Sequence, residues 1–169
     1  NFLENLDLFS LDIDGIDYWV MKNLPEKFSK IVITEYNATF GPDLEVTVPN
    51  IDDFDRNKYH YSNLCFGSSL KAIIKLMKSK NYVFLGTNLS RINAFFIFKD
   101  QLPKLNLNLP NENELAEHVN SNIRESRTSD GRLSYLSGVK KIKEIEDCEV
   151  IDLTDKNLKP VKIKNLLNK

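Results

Sequence analysis

Four polar side chains follow two apolar runs near the start of the chain, and their types could support chemistry. Asp12 and Asp14 end the first run, and Glu35 and Asn37 end the second. Apolar runs of this kind are typical of buried parallel strands, and open α/β sheets bind ligands at the carboxyl ends of such strands. Carboxylates at that edge can transfer protons or hold a cation. If the two strands are neighbours, the four polar groups converge on one small volume.

The spacing of Asp12, Asp14 and Gly15 bears on two known motifs. The order strand, Asp12, any residue, Asp14, Gly15 resembles the opening motif of haloacid-dehalogenase-like phosphatases, in which the first aspartate is the nucleophile and the second is the general acid/base. That resemblance implies the same roles for Asp12 and Asp14, and phosphoryl transfer stays open as an alternative. An EF-hand calcium loop is excluded. Counting from Asp12 places Asp17 where such a loop requires glycine, and Asn23 where it requires an acidic residue.

A longer series of motifs points to methyl transfer. Residues 7–15 resemble the fourth-strand segment of FkbM-like S-adenosylmethionine-dependent methyltransferases, and residues 31–37 resemble the fifth strand, which ends in a glutamate in that family. The runs Tyr82 to Leu85 and Ala94 to Phe98 are similar to the closing antiparallel pair of that fold. More closely, the chain resembles a bacterial, mostly uncharacterised branch associated with surface-polysaccharide gene regions. The motifs that carry this closer resemblance are Asp12-Ile13-Asp14-Gly15-Ile16-Asp17-Tyr18-Trp19, Glu35-Tyr36-Asn37-Ala38-Thr39-Phe40-Gly41-Pro42, Gly67-Ser68-Ser69-Leu70 and Asn93-Ala94-Phe95-Phe96.

The resemblance implies an activity and a set of site residues. The activity is methyl transfer from S-adenosylmethionine to a hydroxyl, with a saccharide or another small hydroxyl compound as acceptor. The candidate catalytic residues are Asp14 or Glu35, as general base on the acceptor hydroxyl, and His60, as a base or substrate contact from the long loop. The implied cofactor contacts are Asp12 and Gly15. In metal-dependent O-methyltransferases, carboxylates and an amide after the same two strands hold one divalent ion. The four polar side chains named first would then be ligands of Mg²⁺ or Ca²⁺.

The cofactor loop of this class is absent from these 169 residues. The class has a glycine-rich turn after its first strand and an acidic residue after its second, whereas no Gly-x-Gly occurs among these 169 residues. The resemblance therefore covers the C-terminal half of the fold, its fourth to seventh strands. It implies a Rossmann-like α/β sheet with three parallel strands and one antiparallel strand over residues 1–100. We expect the chain, which begins with Asn1, to be a piece of a longer protein.

Apolar periodicity predicts the elements that would position these residues. Over residues 1–100 the expected order is strand, helix, strand, loop, helix, strand, strand. The predicted strands and helices are Leu6 to Ile13, Gly15 to Leu24, Lys30 to Tyr36, Ser68 to Lys80, Tyr82 to Gly86 and Asn93 to Lys99. The stretch 37–67 shows no clean period. Because it is rich in aromatic residues, we expect a binding loop or lid rather than disorder.

Beyond residue 100 the sequence predicts a linker and a polar helical extension, over 101–169. Helices are expected at 112–127 and at 137–146, the second with Val139, Ile142 and Ile145 facing inward. An edge strand is expected at 150–153, followed by a tail that frays. The surface residues expected here are Lys140, Lys141, Lys143 and His118.

Composition limits the partners and the compartment. A net charge of −1 with scattered basic residues gives no reason to expect nucleic acid as a partner. No apolar run approaches the roughly 20 residues of a membrane span. Cys65 and Cys148 are far apart in sequence and match neither a metal-binding spacing nor a disulfide framework, so a reduced, cytoplasmic setting is expected.

A non-catalytic role also stays open. The first predicted strand has no partner on its outer side within this sequence. An unpaired strand edge invites pairing with another chain, which would make this a dimerisation or interaction domain, with a homodimer as the simplest product.

Overall fold

The computed structural model describes residues 6–111, 114–123 and 125–167, which form two β-sheets joined by short helices and turns. The strands are β1 (Leu6–Leu11), β2 (Ser29–Glu35), β3 (Val46–Thr47), β4 (Tyr82–Thr87), β5 (Asn93–Phe98), β6 (Glu149–Asp152) and β7 (Pro160–Lys162). The α-helices are α1 (Asp17–Asn23), α2 (Arg56–Tyr59), α3 (Leu70–Ser79), α4 (Val139–Glu144) and α5 (Lys164–Leu167), and 3₁₀ helices cover Ala38–Phe40, Lys99–Lys104 and Ala116–Val119. Within these ranges, no helix combines the length and the apolar character needed to cross a membrane.

The larger sheet has the strand order β1-β2-β5-β4. β1 and β2 are parallel, because α1 forms the crossover between them, and β5 is antiparallel to both of its neighbours. The adjacent parallel pair and the closing hairpin are therefore confirmed. The three strands expected to be parallel, β1, β2 and β4, do run in one direction. Because β5 lies between β2 and β4, the described sheet is mixed and holds one hydrogen-bonded parallel pair.

One face of the larger sheet packs against α1 and α3 around a continuous hydrophobic core. α3 begins as predicted, with the Oγ of Ser69 accepting a hydrogen bond from the backbone N–H of Ala72 at 3.3 Å. The apolar stripe of α3 packs on buried sheet residues that include Val32, Phe84 and Phe96. This burial fixes β1 and β2 relative to each other, and with them the side chains at their carboxyl ends.

The smaller sheet has the order β3-β6-β7 and corrects two expectations about the C-terminal part. β6 is the central strand rather than an edge strand. The tail does not fray over its described residues, because β7 and α5 bury Ile163 and Leu166 against a second core. That second core also contains Val46 and Val48 from the long loop. The loop therefore supplies β3 and apolar side chains to the second core, which is distinct from the core of the larger sheet. The division of the chain at residue 100 stays a prediction.

The polar segment after residue 111 is not the predicted long helix. Among its described residues only the 3₁₀ helix Ala116–Val119 forms, while residues 112, 113 and 124 lie outside the described ranges. Leu115 and Val119 pack on the core under the larger sheet. His118 was expected at the surface but is partly buried, with its Nδ1 2.9 Å from the Oγ1 of Thr87. Two apolar anchors hold this segment in place without requiring a regular helix.

α4 confirms the helix predicted within 137–146 but presents a different face to the core. Ile145 is fully buried, whereas Val139 is 79% exposed and does not face inward. Lys141 is buried instead of lying on a solvated lysine face, and its Nζ donates a hydrogen bond to the carbonyl of Ile123. Gly138 precedes this helix at a φ of 55°, and α4 begins two residues later than the predicted start at residue 137.

Candidate functional site

The acidic ends of β1 and β2 lie side by side, as the sequence predicted. Leu11 is opposite Thr34 in the parallel register, which sets Asp12 next to Glu35 at the same edge of the sheet. The negative charges of Asp12, Asp14 and Asp17 all act on the Glu35 carboxyl. Asp12 and Asp14 are exposed, while Glu35 is partly buried. Three carboxylates therefore surround a fourth at the end of one parallel strand pair.

The turn after β1 is built around Asp17. This side chain is 1% exposed and accepts hydrogen bonds from the backbone N–H groups of Ile13 at 3.1 Å and Gly15 at 3.0 Å. Burial is the largest influence on the Asp17 carboxyl and raises its pKa. The bonds hold the turn so tightly that Asp14 adopts a positive φ of 56°, a conformation that aspartate tolerates better than most residues. Asp17 is thus a structural part of the site.

Gly15 is buried beneath an aromatic ring from the long loop. A Cβ atom at this position would lie 2.6 Å from the Cδ1 of Phe54, which is closer than real contacts allow. The glycine is therefore explained by the close approach of this ring. Its implied role as a cofactor contact stays a prediction.

Arg56 brings the long loop to the acidic edge. Its guanidinium forms an ion pair with Asp14, donates to the carbonyl of Asn63 at 3.0 Å, and stacks 4.0 Å from the centre of the Phe66 ring. Arg56 lies at the start of α2, which Asp55 caps by accepting a hydrogen bond from the backbone N–H of Asn57. A planar guanidinium suits a stacked and paired position of this kind better than a lysine ammonium would. The long loop thus supplies the positive charge that the acidic edge lacks.

Glu35 has the most perturbed carboxyl of this edge. Burial, followed by the charges of Asp12, Asp14 and Asp17, raises the pKa of Glu35 to about 8, and the charge of Arg56 partly opposes this shift. Its Oε2 atom is buried and finds no hydrogen-bond partner among the described residues. A carboxyl that is protonated at neutral pH and lacks a partner is a common feature of functional sites.

A cavity of about 210 Å³ opens beside Glu35. Its walls come from the end of β2, the long loop and the segment before α4. The side chains that line it and matter here are those of Glu35, Thr39, Arg56, Phe66, Ser121 and Lys141. The cavity combines carboxyl, hydroxyl and basic groups with an aromatic ring, which suits a small polar ligand.

The side chain of Asn37 forms hydrogen bonds within the protein that fix the cavity wall formed by Thr39, Leu64 and Phe66. Its Nδ2 donates to the carbonyls of Leu64 at 2.8 Å and Phe66 at 2.9 Å, and its Oδ1 accepts from the backbone N–H of Thr39 at 2.9 Å. Both amide hydrogens and one of the two lone pairs of Oδ1 are therefore used within the protein.

This use of Asn37 weakens the predicted metal site. With the amide committed and Asp14 paired to Arg56, Asp12 and Glu35 remain as the free carboxylates of the predicted ligand set. The described residues contain no group of three or more His, Cys, Asp or Glu side chains placed to hold a metal ion. The Mg²⁺ or Ca²⁺ site therefore stays a prediction, and no chemical step is assigned to a metal here.

His60 lies away from the other two predicted catalytic residues. Its Nδ1 is 2.7 Å from the Oγ of Ser62, its ring packs 4.3 Å from that of Tyr61, and burial lowers its pKa. It lines a different cavity, together with Tyr59 and Cys148. Asp14 and Glu35 therefore come together as predicted, and His60 does not join them.

Three residues that shape the site were missed at the sequence level, namely Arg56, Phe66 and Lys141. Arg56 and Phe66 come from the long loop, which shows no clear periodicity, and Lys141 lies on a predicted helix but was expected at the surface. Comparison with known proteins adds no relative, because no family model, curated protein or solved structure matches the chain significantly. The site must therefore be interpreted from its own chemistry.

Proposed function

We propose that this chain is part of an S-adenosylmethionine-dependent methyltransferase that methylates a hydroxyl of a saccharide or another small acceptor. The observation that carries the proposal is the Glu35 carboxyl, which lines the cavity and whose buried Oε2 has no hydrogen-bond partner within the described ranges. A carboxyl placed in this way can accept the proton that an acceptor hydroxyl loses during methyl transfer.

The arrangement of the larger sheet supports the proposal. β1, β2 and β4 run in one direction and β5 runs in the other, next to β4. The motif resemblance implies this set of directions for the fourth to seventh strands of the methyltransferase fold, including the closing antiparallel pair. The candidate site lies at the carboxyl ends of the parallel pair, where open α/β sheets bind their ligands.

Three residues have separate roles in such a site, namely Asp12, Glu35 and Arg56. The cofactor, when bound, supplies an electrophilic methyl group, and Asp12 is the exposed carboxylate nearest to Glu35 that could contact it. The ionised form of Glu35, which is the minor form at pH 7 and the major form above about pH 8, takes the proton from the acceptor hydroxyl. Arg56, held by Asp14 and Phe66, keeps a positive charge close to the Glu35 carboxylate that is needed for this step.

The test is calorimetric titration with S-adenosylmethionine of the product of the complete reading frame that encodes this sequence. Binding with a dissociation constant in the micromolar range, together with a rise in the melting temperature, is the expected result. Glu35→Gln should bind the cofactor as well as the wild type, because Glu35 acts on the acceptor. The matched control is Glu26→Gln, which changes an exposed glutamate outside the cavity. The absence of both heat and thermal protection would reject the proposal.

A second candidate function is association through the outer edge of β1. This strand is the last in the described sheet order. Leu8 on β1 is 53% exposed, and Ile31, its partner on β2, is 38% exposed. An apolar edge of this kind favours pairing with another strand. Light scattering of the chain separates the candidates. A tight dimer that Leu8→Lys dissociates, with no binding of the cofactor by the product of the complete reading frame, would favour the interaction domain.

A further inference from the structure

The two cysteines of the chain, distant in sequence, meet in the second core. Cys65 is fully buried there, and Cys148 packs against the same cluster from a partly exposed position. Each thiol acts on the pKa of the other, as expected of two sulfur atoms that lie close together at the same core cluster. The cysteines are far apart in the sequence, so their spacing gave no sign of this proximity.

The two thiols differ in access to solvent. Cys148 lines an open cavity of about 280 Å³ together with Tyr59 and His60, so a small oxidant can reach it. Cys65 has no exposed surface. The hydrogen bond from Cys65 lowers the pKa of the Cys148 thiol, and the same bond, with burial, raises the pKa of Cys65. An accessible thiol with thiolate character beside a buried second thiol is the usual arrangement of a peroxide-sensitive pair.

We propose that Cys65 and Cys148 form a reversible redox pair that closes an intrachain disulfide in the presence of a peroxide. The Cys148 thiolate attacks one oxygen of hydrogen peroxide, the O–O bond breaks, and Cys148 becomes a sulfenic acid while hydroxide leaves. The Cys65 sulfur then attacks the sulfenic sulfur, the S–O bond breaks, and the Cys65 proton neutralises the departing hydroxide as water. Two thiols are oxidised and one peroxide is reduced to two waters. A dithiol reductant restores both thiols by exchange.

The disulfide would act on the wall of the candidate cavity. Cys65 lies between Leu64 and Phe66, which both line the cavity beside Glu35, and Cys148 immediately precedes β6. A covalent bond between them ties that wall to the smaller sheet. The proposal concerns the thiols alone, so it stands whether or not the chain takes part in methyl transfer.

The test treats the reduced chain with a small excess of hydrogen peroxide and then alkylates the remaining thiols. The expected product has a mass lower by about 2 Da, takes up no alkylating reagent, and yields one peptide pair joined at Cys65 and Cys148. Because the bond closes a loop of roughly 80 residues, the melting temperature should rise by about 5 °C or more, and a dithiol should reverse the rise.

Two single variants identify the roles of the cysteines. Cys148→Ser should show neither the mass change nor the thermal shift, and because this side chain is partly exposed the variant is expected to fold. Cys65→Ala should stop at the sulfenic acid of Cys148, which a 1,3-diketone reagent traps. Free thiols after peroxide treatment, a disulfide between two chains, or an equal thermal shift in Cys148→Ser would each overturn the proposal.

Discussion

Arg56 and Asp14 form an ion pair across 42 residues of sequence, and this pair joins the long loop to the acidic edge of the larger sheet. Arg56 also stacks on Phe66 and lines the cavity beside Glu35. One guanidinium therefore connects the end of β1, the wall of the cavity and the charge state of the proposed base.

Replacement of Arg56 by glutamine should raise the pKa of Glu35 further, because the positive charge that opposes the three aspartates is lost. The loss of stability should be modest, about 1 kcal/mol, since Asp14 is more than half exposed. Carboxyl titration by NMR measures the first effect and urea unfolding the second. Lys58→Gln is the control, because Lys58 lies on the same helix and is almost fully exposed. An unchanged Glu35 titration in Arg56→Gln would show that Arg56 does not act on this carboxyl.

Replacement of Asn37 by alanine should destabilise the fold by about 2–4 kcal/mol, because the buried carbonyls of Leu64 and Phe66 and the N–H of Thr39 would lose their partner. Urea unfolding measures the change. Asn57→Ala removes an exposed amide that bonds only to Asp55 in the described contacts, and it should cost less than about 0.5 kcal/mol. Similar costs for the two variants would contradict the structural role given to Asn37.

Replacement of Gly15 by alanine should cost about 1–3 kcal/mol, because the new Cβ would overlap the ring of Phe54. The ring comes from a side chain, so a smaller residue at that position can relieve the overlap. In a Phe54→Leu background the cost of Gly15→Ala should fall by at least half. Additive costs in the double variant would mean that the ring is not what excludes a side chain at Gly15.

Stability should fall as the pH rises between about 4.5 and about 8 because of Glu35. Over this window the folded state keeps the Glu35 proton while the unfolded chain has lost it, so raising the pH favours unfolding. The full contribution is present below pH 4.5 and is lost by the time the pH passes 8. Urea unfolding at several pH values should show the wild type losing about 3 kcal/mol more than Glu35→Gln across the window. Parallel pH profiles for the two proteins would argue against a protonated Glu35.

The parts of the fold with clear periodicity could be predicted from the sequence. The run that ends at Asp12 and the β-branched run that ends at Glu35 indicated neighbouring parallel strands, and the two serines before α3 indicated its start. The strand pair and the start of α3 each follow from a local sequence pattern, and packing in the core then stabilises them. The adjacency of the acidic ends followed directly from the short crossover between the strands.

The smaller sheet and most of the site could not be predicted in this way. β3 has two residues and β7 has three, so neither is long enough to show alternation. Arg56 and Lys141 reach the cavity because distant segments pack together, which no local pattern records. Val139 illustrates the same limit, since this first residue of α4 is 79% exposed although the periodicity placed it on the inward face.

The central claim is that Glu35 is a protonated carboxyl at neutral pH in a site formed by the ends of β1 and β2. The most direct measurement is an NMR titration of the chain labelled with ¹³C at the glutamate carboxyls, with Glu35→Gln used to assign the resonance. A midpoint near 8 for Glu35 is the expected result. A midpoint near the ordinary glutamate value of 4.5 would contradict the account.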